Sequence, residues 1–194
     1  MAQSGLQKEF SRIQNDYKKN DLIRDQIITL SRDILKPSKQ AIYALHRNEI
    51  KKARQLLLQA KKQRSKVRAL LKRYDAKEVG AYAAALEEYV EAQCYLSFIE
   101  SGSFPLTKEL EVPADIYLAG LCDCSGELAR RALKLATEKE FKEVERISIA
   151  LEELMGLFLT IDFRGIDMRK KIEGLKYNLS KTQDILYDIQ MKGK

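Results

Sequence analysis

Residues 166–191, IDMRKKIEGLKYNLSKTQDILYDIQM, carry the clearest periodicity in the chain. Met168, Ile172, Leu175, Leu179, Thr182, Leu186 and Ile189 alternate spacings of four and three, the a/d pattern of a helix with one apolar seam. The seam packs either inside a helix bundle or against another copy, and the period alone does not choose between them. The same period recurs upstream. Leu6, Phe10, Ile13, Tyr17, Leu22, Ile27, Ile28, Leu35 and Ile42 predict one long helix over about 4–47. Pro37 is expected to kink it or open a new segment, because its ring removes a backbone donor and crowds the preceding turn. Further helices are predicted over about 49–73, 76–100, 113–134 and 139–159. The breaks fall at Asn48, at Ser101-Gly102-Ser103 with Pro105, and at Asp162-Phe163-Arg164-Gly165.

Three prolines and nine glycines in 194 residues are too few turn signals for an all-β fold, and 45% hydrophobic content is enough for a buried core. The expectation is one all-α domain, residues 1–194, of six to seven helices. No apolar run approaches the roughly 20 residues that a membrane span needs, so no membrane partner is expected. Residues 1–12 lack the apolar segment of a signal peptide. Cys94, Cys122 and Cys124 show no metal-like spacing and read as reduced, buried thiols in a cytoplasmic setting.

The charge is basic, with 35 Lys and Arg against 28 Asp and Glu, and it is concentrated. The second helix holds Lys51, Lys52, Arg54, Lys61, Lys62, Arg64, Lys66, Arg68, Lys72 and Arg73 with no acidic residue among them. A solvated helix face normally mixes signs to gain pairs at i,i+4. Unmixed cations at this density point to a polyanion, and a nucleic-acid backbone is the natural one because each neutralised phosphate releases counterions. Tyr74, Tyr82 and Tyr89 either stack on unpaired bases or belong to the core.

The third helix contains Leu86-Glu87-Glu88-Tyr89-Val90-Glu91-Ala92. Glu88 and Glu91, three apart, share a face with Ala84, Tyr95 and Phe98. The fourth contains Gly120-Leu121-Cys122-Asp123-Cys124-Ser125-Gly126-Glu127-Leu128, in which Asp123 and Glu127 line up with Ile116 and Gly120. Gly120 and Gly126 leave room for a close helix neighbour. If the two helices pack side by side, four carboxylates converge. An all-oxygen cluster of that kind suits Mg²⁺ or Mn²⁺ rather than zinc. Such a cation lowers the pKa of water and stabilises charge developing on a phosphate. Glu-rich helices are common, however, and spacing by itself reads as ordinary surface carboxylates.

Other chemistries fit poorly. His46 is the only histidine, so His-based nucleophilic catalysis and multi-His zinc sites are excluded, and it reads as an exposed or capping residue. Glu88 is followed by Glu91 rather than by the His of a di-iron bundle. No phosphate-binding Gly-x-x-x-x-Gly-Lys loop is present.

Leu86-Glu87-Glu88-Tyr89-Val90-Glu91-Ala92 resembles the Leu-Gln-Glu-Tyr-Val-Glu-Ala segment of the translin-associated factor X (Trax) branch of the translin family. Asp115-Ile116-Tyr117-Leu118-Ala119-Gly120, followed by Asp123-Cys124-Ser125-Gly126-Glu127-Leu128, is similar to that family's Asp-Tyr-Leu-x-Gly and Asp-Leu-Thr-Gly-Glu-Leu. Met168-Arg169-Lys170-Lys171, Gly174-Leu175-Lys176-Tyr177 and Tyr187-Asp188 resemble the translin branch. The likeness spans most of residues 80–194; the first 75 residues match in helicity and basicity more than in letters.

The resemblance implies an α-superhelical subunit of a hollow, roughly octameric shell that binds single-stranded RNA or DNA inside. It also implies Mg²⁺-dependent endoribonuclease activity with Glu88, Glu91 and Asp123 as catalytic carboxylates and metal ligands, and Glu127 as a further member of the metal site. The translin branch has apolar residues at most of these places. The chain lacks the long Trax loop between the third and fourth helices, which together with its translin-like C-terminus implies a compact homo-oligomer. A non-catalytic, translin-like binder of single strands is the competing reading.

Overall fold

The computed structural model describes residues 5–73 and 79–192, and every regular element among them is a helix. In chain order these are α1 (Gly5–His46), α2 (Ile50–Arg73), α3 (Gly80–Ser101), the single turn α4 (Thr107–Leu110), α5 (Ala114–Thr137), α6 (Phe141–Phe158) and α7 (Ile166–Lys192). Helices α3 and α5 pack on each other at the centre. α1 lies against α3 and carries α2 on its other flank, while α7 and α6 lie against α5. None of the described helices is long and apolar enough to cross a membrane.

The predicted boundaries hold to within a few residues, and their stops are local chemistry. Asn48 takes a left-handed φ of 59° between α1 and α2. Gly102, at φ 75°, closes α3 by donating its amide to the Phe98 carbonyl. Pro113 stands as the N-cap of α5. The start expected near residue 76 falls on residues outside those described, as does Tyr74, and α3 begins at Gly80. The turn α4 was not expected from the period, being shorter than one helical repeat.

Pro37 opens no new segment; α1 runs through it. The proline is buried amid the stripe Ile27, Ile34, Ala41, Ile42 and Leu45, which is held against neighbouring helices. Ser38 Oγ donates to the Ile34 carbonyl at 2.8 Å, so a side chain adds a bond at the turn that the proline weakens. Burial over several turns outweighs one missing backbone bond.

The seam of α7 packs within the chain. Leu175 and Thr182 are fully buried, and Met168, Ile172, Leu179, Leu186 and Ile189 are partly buried against the core shared with α5 and α6. The unpaired apolar stripe lies elsewhere. Gly5 to Leu22 project as exposed helix, and Leu6, Phe10, Ile13 and Tyr17 line one face of it at a four-three-four spacing. The thiols of Cys94, Cys122 and Cys124 are free and buried, as expected.

Candidate carboxylate site and basic surface

The site owes its geometry to the close approach of α5 to α3. A Cβ added at Gly120 would stand 2.6 Å from the Glu87 carbonyl and 2.7 Å from the Val90 side chain, so only glycine lets the helices touch there. Gly126 serves α7 instead, with Asn178 at 3.6 Å from the same construction, an ordinary contact. The approach brings Glu88 and Glu91 of α3 within electrostatic reach of Asp123 and Glu127 of α5. The convergence expected from spacing is therefore present.

Three of the four carboxylates are compensated by groups that the sequence did not single out. Lys171 of α7 reaches Asp123 Oδ2 at 2.5 Å and Glu87 Oε2 at 3.2 Å. Lys39 of α1 stands 3.7 Å from Glu88. His46 bonds through Nε2 to Glu127 and through Nδ1, at 3.1 Å, to the Tyr95 hydroxyl. A carboxylate only accepts, so Nε2 donates to Glu127 and Nδ1 accepts from Tyr95. Lys134 Nζ donates to the His46 carbonyl at 2.9 Å, which anchors the end of α1 on α5. His46 is thus neither exposed nor a cap. Its side chain is only 10% accessible, because the end of α1 tucks between α3 and α5.

Glu91 is the exception. No hydrogen bond or ion pair among the described residues reaches its carboxylate. Burial, followed by the charges of Glu88, Asp123 and Glu127, pushes its pKa up to about 8, with Lys171 opposing. Burial also raises Glu88; Lys39 works against that shift, and Asp123 and Glu127 add to it. Lys171 loses some charge preference to burial, but its bonds to Asp123 and Glu87 raise its pKa on balance. An open cavity of about 470 Å³ adjoins these groups, walled by Glu91, by Cys122 and Asp123, and by Lys170, Lys171 and Asn178 of α7.

The donor set, oxygen throughout and with one carboxyl outside any ion pair among the described residues, fits a hard cation in kind. Its side-chain positions are not a closed ligand set: among the described residues no three acidic, histidine or cysteine side chains stand ready around one point. Asp123, Glu127 and Glu88 instead turn to Lys171, His46 and Lys39.

The basic helix is divided by packing. Lys51, Lys52, Arg54, Lys61, Lys62, Lys66 and Lys72 are exposed and Arg68 is half-exposed; the Arg73 side chain lies outside the described set. Among the described residues no ion pair reaches Lys51, Lys62, Lys66 or Lys72. Lys52 pairs with Glu49 at 3.2 Å and Arg54 with Glu100 at 2.7 Å. Arg64, expected on the same surface, is buried at 3% accessibility, because its position falls on the apolar face of α2 with Ala53, Leu57, Ala60 and Val67. It lies 5.2 Å over the Tyr89 ring and 3.3 Å from Glu111, which Arg68 also grips. Tyr89 is correspondingly a core residue and accepts from Gln93 at 2.8 Å; Tyr82 is half-buried against the core. None of the α2 residues lines the carboxylate cavity. The cations beside the acids come from α1, α5 and α7.

Comparison with known proteins agrees with this fold. The model of the translin family matches residues 22–193. The chain belongs to the translin family. It is similar to translin of Gallus gallus, 32% identical over 77 residues that make up 40% of this chain and 34% of that protein. The match therefore spans about a third of the length of that relative. Over a longer stretch it is similar to translin-associated protein X of Rattus norvegicus, 24% identical across 87% of this chain and 73% of that one. Among solved structures, the crystal structure of AfC3PO superposes with a TM-score of 0.86 at 24% identity, covering 95% of this chain and 98% of that chain. The same protein in complex with duplex RNA gives 0.85. These likenesses show a common fold.

Proposed function

We propose that this translin-family chain is a metal-dependent endoribonuclease whose chemistry is done at Glu88, Glu91, Asp123 and Glu127. The observation that carries the reading is the half-buried Glu91 carboxyl, set among three other acids and, among the described residues, with no hydrogen bond or ion pair of its own. Burial among those acids favours its protonated form, and a bound cation would favour the ionised one. Mg²⁺ or Mn²⁺ bound there would activate water and stabilise the phosphorane-like charge of phosphodiester hydrolysis. The chain's own residues do the rest. Glu88, Glu91 and Asp123 supply oxygen donors from two helices locked together at Gly120. Glu127 is held in orientation by the His46–Tyr95 pair.

RNA binding is assigned to the exposed part of α2, led by Lys51, Lys62, Lys66 and Lys72, with Lys52, Arg54, Lys61, Arg68 and Arg73 adding charge. Contacts of this kind grip phosphates without reading bases. Single-stranded RNA is the proposed substrate, with single-stranded DNA as a further ligand. The relative solved with duplex RNA supports RNA as the polymer, and the strand preference is decided by assay. The exposed stripe Leu6, Phe10, Ile13 and Tyr17 supports a homo-oligomer, with eight copies as the proposed number. Buried thiols suit a cytoplasmic location.

The second reading, a non-catalytic binder, is favoured by Lys39 and Lys171, which already pair with Glu88 and Asp123, and by the hydrogen bond from His46 that occupies Glu127. The test is incubation of labelled single-stranded and duplex RNA with Mg²⁺, Mn²⁺ or EDTA. Fragments that need the metal support the nuclease; RNA retained intact under every condition leaves the binder.

A further inference from the structure

A phosphodiester drawn toward a cluster of carboxylates needs cations at the point of contact. The conspicuous cations of α2 are not there: they pair with Glu49, Glu100 and Glu111 or face solvent on the flank of α1, and the cavity walls contain none of them. The wall opposite Glu91 and Asp123 is built by α7, and it presents Lys170 and Lys171 in succession. Lys170 is exposed and makes no ion pair among the described residues. Lys171 is 26% accessible, reaches into the cavity, and holds Asp123 at 2.5 Å and Glu87 at 3.2 Å. An ammonium has three donors, and its two carboxylate partners leave one to spare.

We propose that Lys171, with Lys170 beside it, is the phosphate-binding group of the carboxylate cavity, and that its hold on Asp123 competes with a divalent cation for the same carboxylate. The physical reason is that one ammonium serves two anions in turn. Without a cation in the site it neutralises Asp123, which would otherwise repel Glu91. When the charge of Asp123 is met by another cation, Lys171 keeps Glu87 and presents its remaining donors to a phosphate oxygen in the cavity. A lysine suits this exchange because it binds phosphate as a point charge on a flexible stem, without the fixed fork of arginine. The identity of the phosphate as RNA rests on the nuclease reading above; the competition with the cation does not.

The two halves of the proposal predict opposite changes in one substitution. Calorimetric titration of the full chain with Mn²⁺, without RNA, should show tighter binding in Lys171→Met than in wild type, by roughly three- to tenfold, the scale of removing one partly screened charge nearby. Lys170→Met, which removes a cavity charge that holds no carboxylate, should tighten it less than Lys171→Met. RNA binding is compared in EDTA between Asp123→Asn and Asp123→Asn/Lys171→Met, where the competing carboxylate is neutral and turnover is absent. The double variant should bind labelled single-stranded RNA more weakly, with a slope of log affinity against log salt shallower by about 0.7, one phosphate contact on a single strand. Lys171→Arg in the same background should restore the slope. Lys171→Gln serves both assays if Lys171→Met does not fold, as judged by thermal melting. Weaker Mn²⁺ binding in the folded variant, or an unchanged salt slope, overturns the proposal. Neither readout involves cleavage. A wild-type protein that fails to cut RNA while the slope changes loses the nuclease reading and keeps Lys171; one that cuts RNA while the slope stays fixed loses Lys171 alone.

Discussion

Helix α2 and the α3–α5 pair are the two charge-dense regions of the molecule, and packing treats them in opposite ways. In α2 the charge is contiguous in sequence and mostly solvated in space. In α3 and α5 the acids are separated by about 35 residues of chain and brought together by the contact at Gly120. The first arrangement is cheap to build, since exposed like charges are screened by water and salt. The second is costly, since half-buried like charges raise one another's pKa. On the proposed reading, the solvated charge of α2 is the landing surface of a polyanion and the half-buried acids are the place of chemistry.

Breaking that contrast starts with the one cation of α2 that does not belong to its surface. Arg64→Ala removes a buried guanidinium that stacks over Tyr89, and is expected to lower stability by about 1–3 kcal/mol while leaving the salt slope of RNA binding unchanged. Thermal melting alongside a salt series checks both halves. The surface cations should do the reverse. Lys62→Glu with Lys66→Glu should weaken RNA binding by about tenfold and make the slope shallower by about 0.7 per lost contact, with the melting temperature nearly fixed. The acid cluster itself should answer to pH. The pKa of Glu91 is about 8 in the folded chain, against about 4.3 for an unfolded glutamate. The folded state holds the extra proton across that interval, so without divalent cation the stability should fall as pH rises from about 4 to 8. That gap is worth at most about 5 kcal/mol, so a drop on the order of 10 °C is expected. Glu91→Gln should flatten the trend, and added Mn²⁺ should reverse it at pH 8; a melting temperature that rises with pH through this range would contradict the assignment.

The helical period made most of the fold legible, because apolar stripes such as Ile27, Ile34 and Leu45 obey it wherever a helix buries one face. The period did not reveal what covers a seam. The α7 stripe is internal, while the stripe left open is at the start of α1. Proline chemistry overstated the break at Pro37, since a local rule gave way to burial over several turns. The four acids were legible as two i,i+3 and i,i+4 pairs, with glycine beside them marking the close approach. Their partners were not. Lys171 and Lys39 reach the site from two other helices, and no spacing within one helix encodes a contact between helices; Tyr95 alone lay on the face already read for Glu88 and Glu91. Lys170-Lys171 was visible only as part of a family-like segment. His46 left one usable signal, that a lone histidine beside a helix end must place its ring somewhere, and exposure was the wrong choice because the chain turns inward there. Arg64 shows the same limit from the other side: its heptad position, shared with Leu57 and Ala60, marks it as inward, and the run of cations around it hid that.

The most direct measurement of the account is single-turnover cleavage of labelled single-stranded RNA at saturating protein, wild type against Asp123→Asn, with Mg²⁺ and with EDTA. The carboxylates as a metal-holding reaction centre predict fragments from the wild type with Mg²⁺ alone. Asp123→Asn should bind RNA at least as well and cut it about 10³-fold more slowly, the loss of several kcal/mol of metal assistance. Cleavage by Asp123→Asn at the wild-type rate, or wild-type cleavage that persists in EDTA, would contradict it.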